Sequence, residues 1–492
     1  MRRSRPNQRA RSTMLAGAVL IAALLAALVL RGDAPGPGVP VIPTPPGGEG
    51  DAQPIPDPFA YDPDAEQALV RRAAAGTSHV LYARSPGGAS ATAARVARWR
   101  PQVEAAARAA HVAPDLLEGL VFLESAGRED AMAGGTEGAV GLTQILAETA
   151  RNLLGMHVEV RRSARFTRRI ERALGRGRLR EVERLGRARR AVDDRFDPVK
   201  ALAGTARYLT IAREALGRED LALVSYHMGI GNLQGVLRAY GEERPSYARV
   251  YFDSTPVHHA DVQRLLARFG DDSSNYLWKL YAARDIMRRY RTDRVALLRL
   301  EALHTAKNSA EEVLHPLATT PRFETPEALD AAWKSGAIHA FPDDPEATGL
   351  ARDPHMGELA ERLHVPAGLY RGLRPEALAA ALYVGAQTRA FAGGDAPLVV
   401  TSTVRDARYQ QLLVRSNREA TRNFSLHTTG WAFDVARSYR SRGQALAFQF
   451  VLDRLQVLNV IAWLREPGAI HITASRDAKA LLPLLDRIGG GP

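Results

Sequence analysis

The hydrophobic pattern of this chain changes period once, near residue 357, and that change limits the folds open to it. Upstream, from about Pro63, apolar residues recur at helical intervals in an alanine-rich background. Downstream, short β-prone runs at 398–400, 432–435 and 470–473 alternate with helical stretches at 407–421 and 444–458. Such a mixture describes an α+β domain carrying an antiparallel sheet. A chain of 492 residues is too long for one core, so two or three domains are expected. The expected divisions are a basic tail at 1–13, an apolar run at 14–30 and a Pro/Gly-rich linker at 31–62. A helical domain at 63–317, with an arginine-rich insertion at 157–195, follows. A second linker rich in Pro, Thr and Asp at 318–356 precedes the α+β domain at 357–492.

The first thirteen residues hold five arginines and no acid, and 14–30 is an uninterrupted run of Ala, Leu, Val, Ile, Gly and Met. A run of that length is about the shortest that spans a bilayer, and the arginine excess would hold the N-terminus in the cytoplasm. The expectation is therefore an N-terminal transmembrane helix in the bacterial inner membrane, single-pass, with everything after Arg31 on the extracytoplasmic side. A cleaved signal peptide is the competing reading. Between 34 and 58 stand nine prolines with glycines among them, a composition that cannot form a core and behaves as a partly extended spacer.

Within the helical region, Pro114 at a first turn and the set Leu117, Leu120 and Val121 describe an amphipathic helix. Glu124 continues that series, which places its carboxylate on the apolar face near the helix end. Burial there raises a carboxyl pKa and leaves a protonated acid near neutrality, able to protonate a glycosidic oxygen. The plainer alternative is a helix-terminal Glu pointing into solvent. Beyond Glu124–Ser125 come GAVGLTQ at 138–144 and SYHMGIGN at 225–232. In order and spacing these resemble the soluble-type lytic transglycosylase domain, over about 98–239. The resemblance implies a mainly α, lysozyme-like fold with Glu124 as catalytic acid and Gln144 and Tyr226 as saccharide-binding residues. It also implies cleavage of the bond between N-acetylmuramic acid and N-acetylglucosamine in peptidoglycan, with closure of a 1,6-anhydro ring. His227 departs from the asparagine usual in that family, and the insertion separates the two halves of the motif. Glu129, Asp130 and Glu137 follow the helix, so a hydrolytic outcome using a second carboxylate stays open.

The insertion carries fourteen arginines against five acidic residues between 161 and 195, and an arginine-covered helical hairpin is its expected form. It would serve as a docking surface for an anionic wall polymer or lipid headgroups, or simply as a solvated face. Nucleic acid is disfavoured, because Phe166 is the only aromatic residue there and stacking platforms need several. The net charge of +12 allows these partners without choosing among them, and the absence of cysteine excludes disulfides and thiolate metal sites. Tyr276, Trp278 and Tyr281 lie at near-helical spacing and read as core. His258 and His259, being adjacent, read as a poor metal pair.

In the last region, SLHTTGWAFD at 425–434 and AIHIT at 469–473 set His427, Asp434 and His471 as a plausible zinc triad with an open fourth position. With TSTVR at 401–405 and Tyr409–Gln410 upstream, this pattern resembles the zinc D-alanyl-D-alanine carboxypeptidase and dipeptidase family of the VanY and VanX type, over about 397–474. The resemblance implies zinc on His427, Asp434 and His471, with Arg405 contacting substrate. That family usually carries a glutamate three positions before its last histidine; here the position is Gly468. Glu466 is the candidate catalytic base if the 466–468 turn redirects it. The expectation is an enzyme cleaving both glycan strands and stem peptides. The alternatives are a transglycosylase with a non-catalytic peptidoglycan-binding C-terminal domain, and an assembly protein with two degenerate folds.

Overall fold

A computed structural model describes residues 57–306, 310–394, 396–416 and 424–488. The chain folds into two units that are each discontinuous in sequence: 84–247 with 266–298, and 57–83 with 248–265 and 299–488. The basic tail 1–13, the apolar run 14–30 and the proline spacer up to residue 56 lie outside the described residues. Among the described residues no helix is long and apolar enough to cross a membrane. The expected fold class with a transmembrane helix, and the single-pass inner-membrane location drawn from it, are corrected accordingly: the described chain is mostly helical, without a spanning segment. The reason lies in composition. The nineteen-residue helices Glu66–Arg84 and Pro198–Leu216 each carry four charged side chains, and the alanine-rich Pro375–Ala392 is buried within its own unit.

In the first unit, helix α1 (Pro114–Ser125) starts on Pro114 and stops at Ala126, whose left-handed backbone (φ 54°) returns its N–H to Phe122. Its apolar face, Leu117, Leu120 and Val121, is fully buried, a contribution of roughly 1.5–3 kcal/mol per side chain. A small antiparallel sheet follows, β1 (Met132–Ala133), β2 (Ala139–Val140) and β3 (Ile145–Leu146). Helices α2 (Val160–Gly175) and α3 (Leu179–Arg190) make the hairpin, with a core of Ile170, Ala173 and Leu185. Helices α4 (Pro198–Leu216), α5 (Glu219–Met228) and α6 (Tyr276–Thr292) complete the framework. Gly119 allows α1 and α6 to approach, since a Cβ there would meet Leu280 at 3.1 Å.

The insertion's last arginine, just past the hairpin, is structural. Arg195 is fully buried and pairs with Asp193 (Nη2 to Oδ2 2.9 Å, Nε to Oδ1 2.9 Å). Its remaining donors reach the carbonyls of Thr136 (2.8 Å), Gly138 (3.0 Å) and Ile145 (3.3 Å). Every guanidinium N–H is thereby satisfied, and the β1–β2 turn and the start of β3 are clamped to the chain after α3. Gly141 (φ 84°) completes the join, because a Cβ there would lie 1.8 Å from the Arg195 carbonyl.

The second unit holds the short helix α7 (Glu311–Leu314), α8 (Pro326–Lys334), α9 (Pro375–Ala392) and α10 (Arg442–Val457). Its five-stranded sheet comprises β4 (Leu350–Arg352), β5 (Leu398–Ser402), β6 (Ala432–Ala436), β7 (Ile461–Arg465) and β8 (Ala469–Ala474), in the order β4-β5-β6-β8-β7. β4 runs parallel to β5 and the other pairs are antiparallel, so the antiparallel sheet expected gains one parallel edge strand. The linker expected at 318–356 is also corrected: it contributes α8, β4 and the buried residues Phe323, Leu329 and Ile338. The Thr, Asp and Pro residues that read as a boundary there are helix starts. Thr325 accepts from the Ala328 N–H and Asp344 from the Ala347 N–H, each followed by a proline in the first turn. The division expected at 317 fails for a related reason. Helix Glu66–Arg84 belongs with the C-terminal residues, and a Cβ on Gly76 would strike the Val457 carbonyl at 2.2 Å.

Candidate functional site

Two separate clusters gather the chemistry-bearing residues, one in each unit. Helix α1 carries two glutamates of opposite character. Glu118 is 1 % exposed and sits between the guanidinium groups of Arg100 (3.0 Å) and Arg291, a charged pairing that holds helices together. Glu124, a turn and a half later, forms no ion pair among the described residues. Its carboxylate accepts a hydrogen bond from the Tyr276 phenol at 2.6 Å. Burial pushes the Glu124 pKa up to about 7, against the opposing effect of that phenol. The residue keeps some surface exposure, which is the access that an acid needs.

Tyr226, on α5, lies close enough to Glu124 for its own ionisation to be disfavoured by burial first and by that carboxylate second. Its phenol donates to the Thr143 carbonyl at 2.7 Å and contacts Thr205 Oγ1 at 3.2 Å. Tyr226 thus ties the loop bearing Gln144 to α4 and α5. Gln144 itself adopts a left-handed backbone (φ 52°), and its Nε2 donates to the carbonyls of Gly141 (2.8 Å) and Ala131 (3.1 Å). With both amide hydrogens held inside the loop, the carboxamide oxygen is the group left for an outside donor. Glu129 faces Arg190 at 3.9 Å, while Asp130 and Glu137 are exposed.

Tyr276 is the residue that sequence reasoning missed here. Its aromatic spacing marked it as core, and it is 3 % exposed, yet its hydroxyl touches the candidate acid. His227 stacks on the Tyr276 ring (centroids 5.2 Å, 24° between planes) and its Nδ1 lies 2.9 Å from Ser273 Oγ. Burial lowers the His227 pKa and keeps the ring neutral. His227 therefore supports the Tyr276 ring.

In the second unit the sheet register aligns the other cluster. Ser402, Asp434, His471 and Leu464 are successive cross-strand partners and so share one face. Glu466, one residue past the end of β7, lies close enough to Asp434, His471 and Arg405 for their charges to act on it. The opposite face, with Phe433, Val435, Ile470 and Ile472, is apolar and buried. His427 enters from the turn Leu426–Thr429. Its Nδ1 lies 2.7 Å from the Thr403 carbonyl and its Nε2 lies 3.1 Å from Asp434 Oδ2. His471 Nδ1 lies 2.8 Å from Asp434 Oδ1. One ligand-capable atom from each of the three residues falls within 4.8 Å of the others, a nitrogen, nitrogen and oxygen donor set suited to a divalent metal.

Burial lowers the His427 pKa to about 4, aided by Arg405, so this imidazole is neutral as a metal ligand must be. Burial opposes ionisation of Asp434, but His427 and His471 outweigh it and hold the carboxylate charged. For His471 burial disfavours the cation, yet Asp434 and Glu311 push its pKa up to about 10. Metal entry would therefore displace a proton. Arg405 donates to Ser402 Oγ (2.5 Å), Asp434 Oδ2 (3.3 Å) and Gln410 Oε1 (3.0 Å). Glu466 is half-buried; burial raises its pKa, and Asp434 adds to the effect. Glu311 had no motif to announce it: from α7 its Oε1 lies 2.8 Å from His471 Nε2.

The pair His258 and His259 faces Asp253 from one side, at 3.3 and 3.6 Å, contrary to the expectation that neighbours diverge. The left-handed backbone at His259 (φ 50°) turns the second ring back. His258 is exposed and its Nδ1 also lies 2.9 Å from the Asp253 carbonyl, so this half-buried group is less prepared for a metal than the buried triad. No protein-family model matches the chain, and no curated protein matches it in sequence.

Proposed function

We propose that this protein cleaves peptidoglycan, with Glu124 as the acid of a lytic transglycosylase and the His427, Asp434 and His471 cluster as the zinc centre of a stem-peptide hydrolase. The observation that carries the proposal is Glu124 itself: a partly accessible carboxyl, with no ion pair among the described residues, whose pKa of about 7 leaves it substantially protonated near neutrality. Such a group can give its proton to the glycosidic oxygen as the bond to the muramic acid C1 breaks. The resulting carboxylate then takes the proton from the sugar's own 6-hydroxyl while that oxygen closes on C1. No second carboxylate is required, in keeping with the solvent-facing positions of Asp130 and Glu137 and the Glu129–Arg190 contact. Gln144 and Tyr226 hold the loop and helix that flank the acid, and Gln144 offers its carboxamide oxygen to a sugar hydroxyl.

In the second unit, zinc held by His427 Nε2, Asp434 and His471 Nδ1 would polarise a peptide carbonyl and acidify a bound water. Arg405 supplies fixed positive charge beside the cluster for a substrate carboxylate, and Glu466, whose ionisation the cluster's charges affect, is the candidate proton acceptor. Gly468 at the position of the usual glutamate favours the second reading, a domain that holds zinc and binds stems without cutting them. The exposed arginines of the α2–α3 hairpin suit an anionic wall polymer.

Incubating the full chain with purified peptidoglycan, with and without a chelator, tests both halves. Glycan release that resists the chelator, together with zinc-dependent shortening of stems, is the expected result. His427→Ala should lose the second and keep the first. Stem shortening that survives this substitution would overturn the ligand assignment, and zinc binding without any shortening would select the second reading.

A further inference from the structure

We infer that Glu311 is the outer carboxylate of the metal centre, a positioning residue that fixes which nitrogen of His471 faces the metal. The inference rests on reading His427, Asp434 and His471 as metal ligands, and adds a fourth residue that no motif contains. An imidazole can ligate through one nitrogen while the other carries hydrogen, and the partner of that N–H decides which is which. For His427 the partner is the Thr403 carbonyl at 2.7 Å on Nδ1, leaving Nε2 toward Asp434. For His471 the arrangement is reversed. Glu311 Oε1 stands 2.8 Å from Nε2, leaving Nδ1 at 2.8 Å from Asp434 Oδ1.

The Glu311 carboxylate is held for this task. Its side chain is 4 % exposed, and Thr473, two residues along β8 from His471, donates its hydroxyl to the same Oε1 at 2.8 Å. Buried carboxylates are costly unless partnered, and here the partners lie on one strand at successive positions of the metal face. The two imidazoles are consequently unequal: His427 is oriented by a neutral carbonyl, His471 by an anion that makes it the more basic donor. The helix supplying that anion, α7, precedes His427, Asp434 and His471 by more than a hundred residues, so metal affinity depends on a segment outside the zinc motif.

Competition between the full chain and a chromophoric chelator for Zn²⁺ tests the inference. Glu311→Gln keeps shape and a weaker acceptor, Glu311→Ala keeps neither, and the affinity should fall by about 10- to 100-fold, more for alanine than for glutamine. A Co²⁺-loaded chain should show a changed visible spectrum in both variants, which loss of stability alone would not produce. If the parent chain binds zinc and Glu311→Gln binds it equally tightly, the inference fails while the metal centre stands. If the parent chain binds no zinc, the reading beneath it fails. Should Glu311→Gln not fold, Thr473→Val decides: weaker zinc binding supports the role, and unchanged binding overturns it.

Discussion

At the scale of single residues, the contrast between Glu118 and Glu124 states the physical argument. Both lie on one helix, but the buried first is neutralised by two arginines, whereas the half-buried second forms no ion pair among the described residues and accepts a hydrogen bond from a phenol. The Tyr276 hydrogen bond favours the carboxylate and so lowers the Glu124 pKa against the larger effect of burial. Catalysis needs the protonated form, so glycan cleavage should decline as pH rises through about 7. Removing the phenol in Tyr276→Phe takes away the lowering contribution, and the alkaline limb of kcat/KM should move to higher pH. A limb that stays in place, or moves down, would show that Tyr276 does not act on this carboxyl.

Among elements, the join between the hairpin and the small sheet concentrates stability in one side chain. Arg195→Ala removes a buried ion pair and orphans the carbonyls of Thr136, Gly138 and Ile145. A loss of about 3–5 kcal/mol is expected, read from the denaturant midpoint of the first unit's unfolding, which exposes Trp278. A loss below about 1 kcal/mol would mean that solvent already reaches the pair. The hairpin's outer face makes a separate prediction. Arg165, Arg168, Arg169 and Arg172 are exposed on α2, and reversing them to glutamate should weaken cosedimentation with wall material rich in anionic polymer while leaving cleavage of short soluble glycans unchanged. Equal cosedimentation at low and high salt would remove the docking role.

For the whole molecule, the two chemistries should be separable because each cluster is complete within its own unit. Stripping metal should abolish stem shortening and leave glycan release intact, and restoring zinc should return it; loss of both on chelation would contradict the division. What the sequence made legible follows the same logic. Glu124, Gln144, Tyr226, His427 and Asp434 sit in short motifs, where spacing along the chain is spacing in the fold. His471 was legible because the strand pattern around it is local. Tyr276 and Glu311 were not, since each reaches its cluster from a helix some 150 or more residues away in sequence and is neighboured by nothing that marks it. The 318–356 segment was misread because the residues that punctuate loops are the ones that cap helices. The expected membrane span concerned residues outside those described, and no described helix takes its place. The central claim, that a proton on Glu124 breaks the glycan, is tested most directly by mass spectrometry of the sugar ends released from purified peptidoglycan by the parent chain and by Glu124→Gln. The account predicts ends lighter by one water than hydrolytic ends, and a loss of ~100- to 10,000-fold in their rate of appearance in the variant. Undiminished release by Glu124→Gln would contradict it.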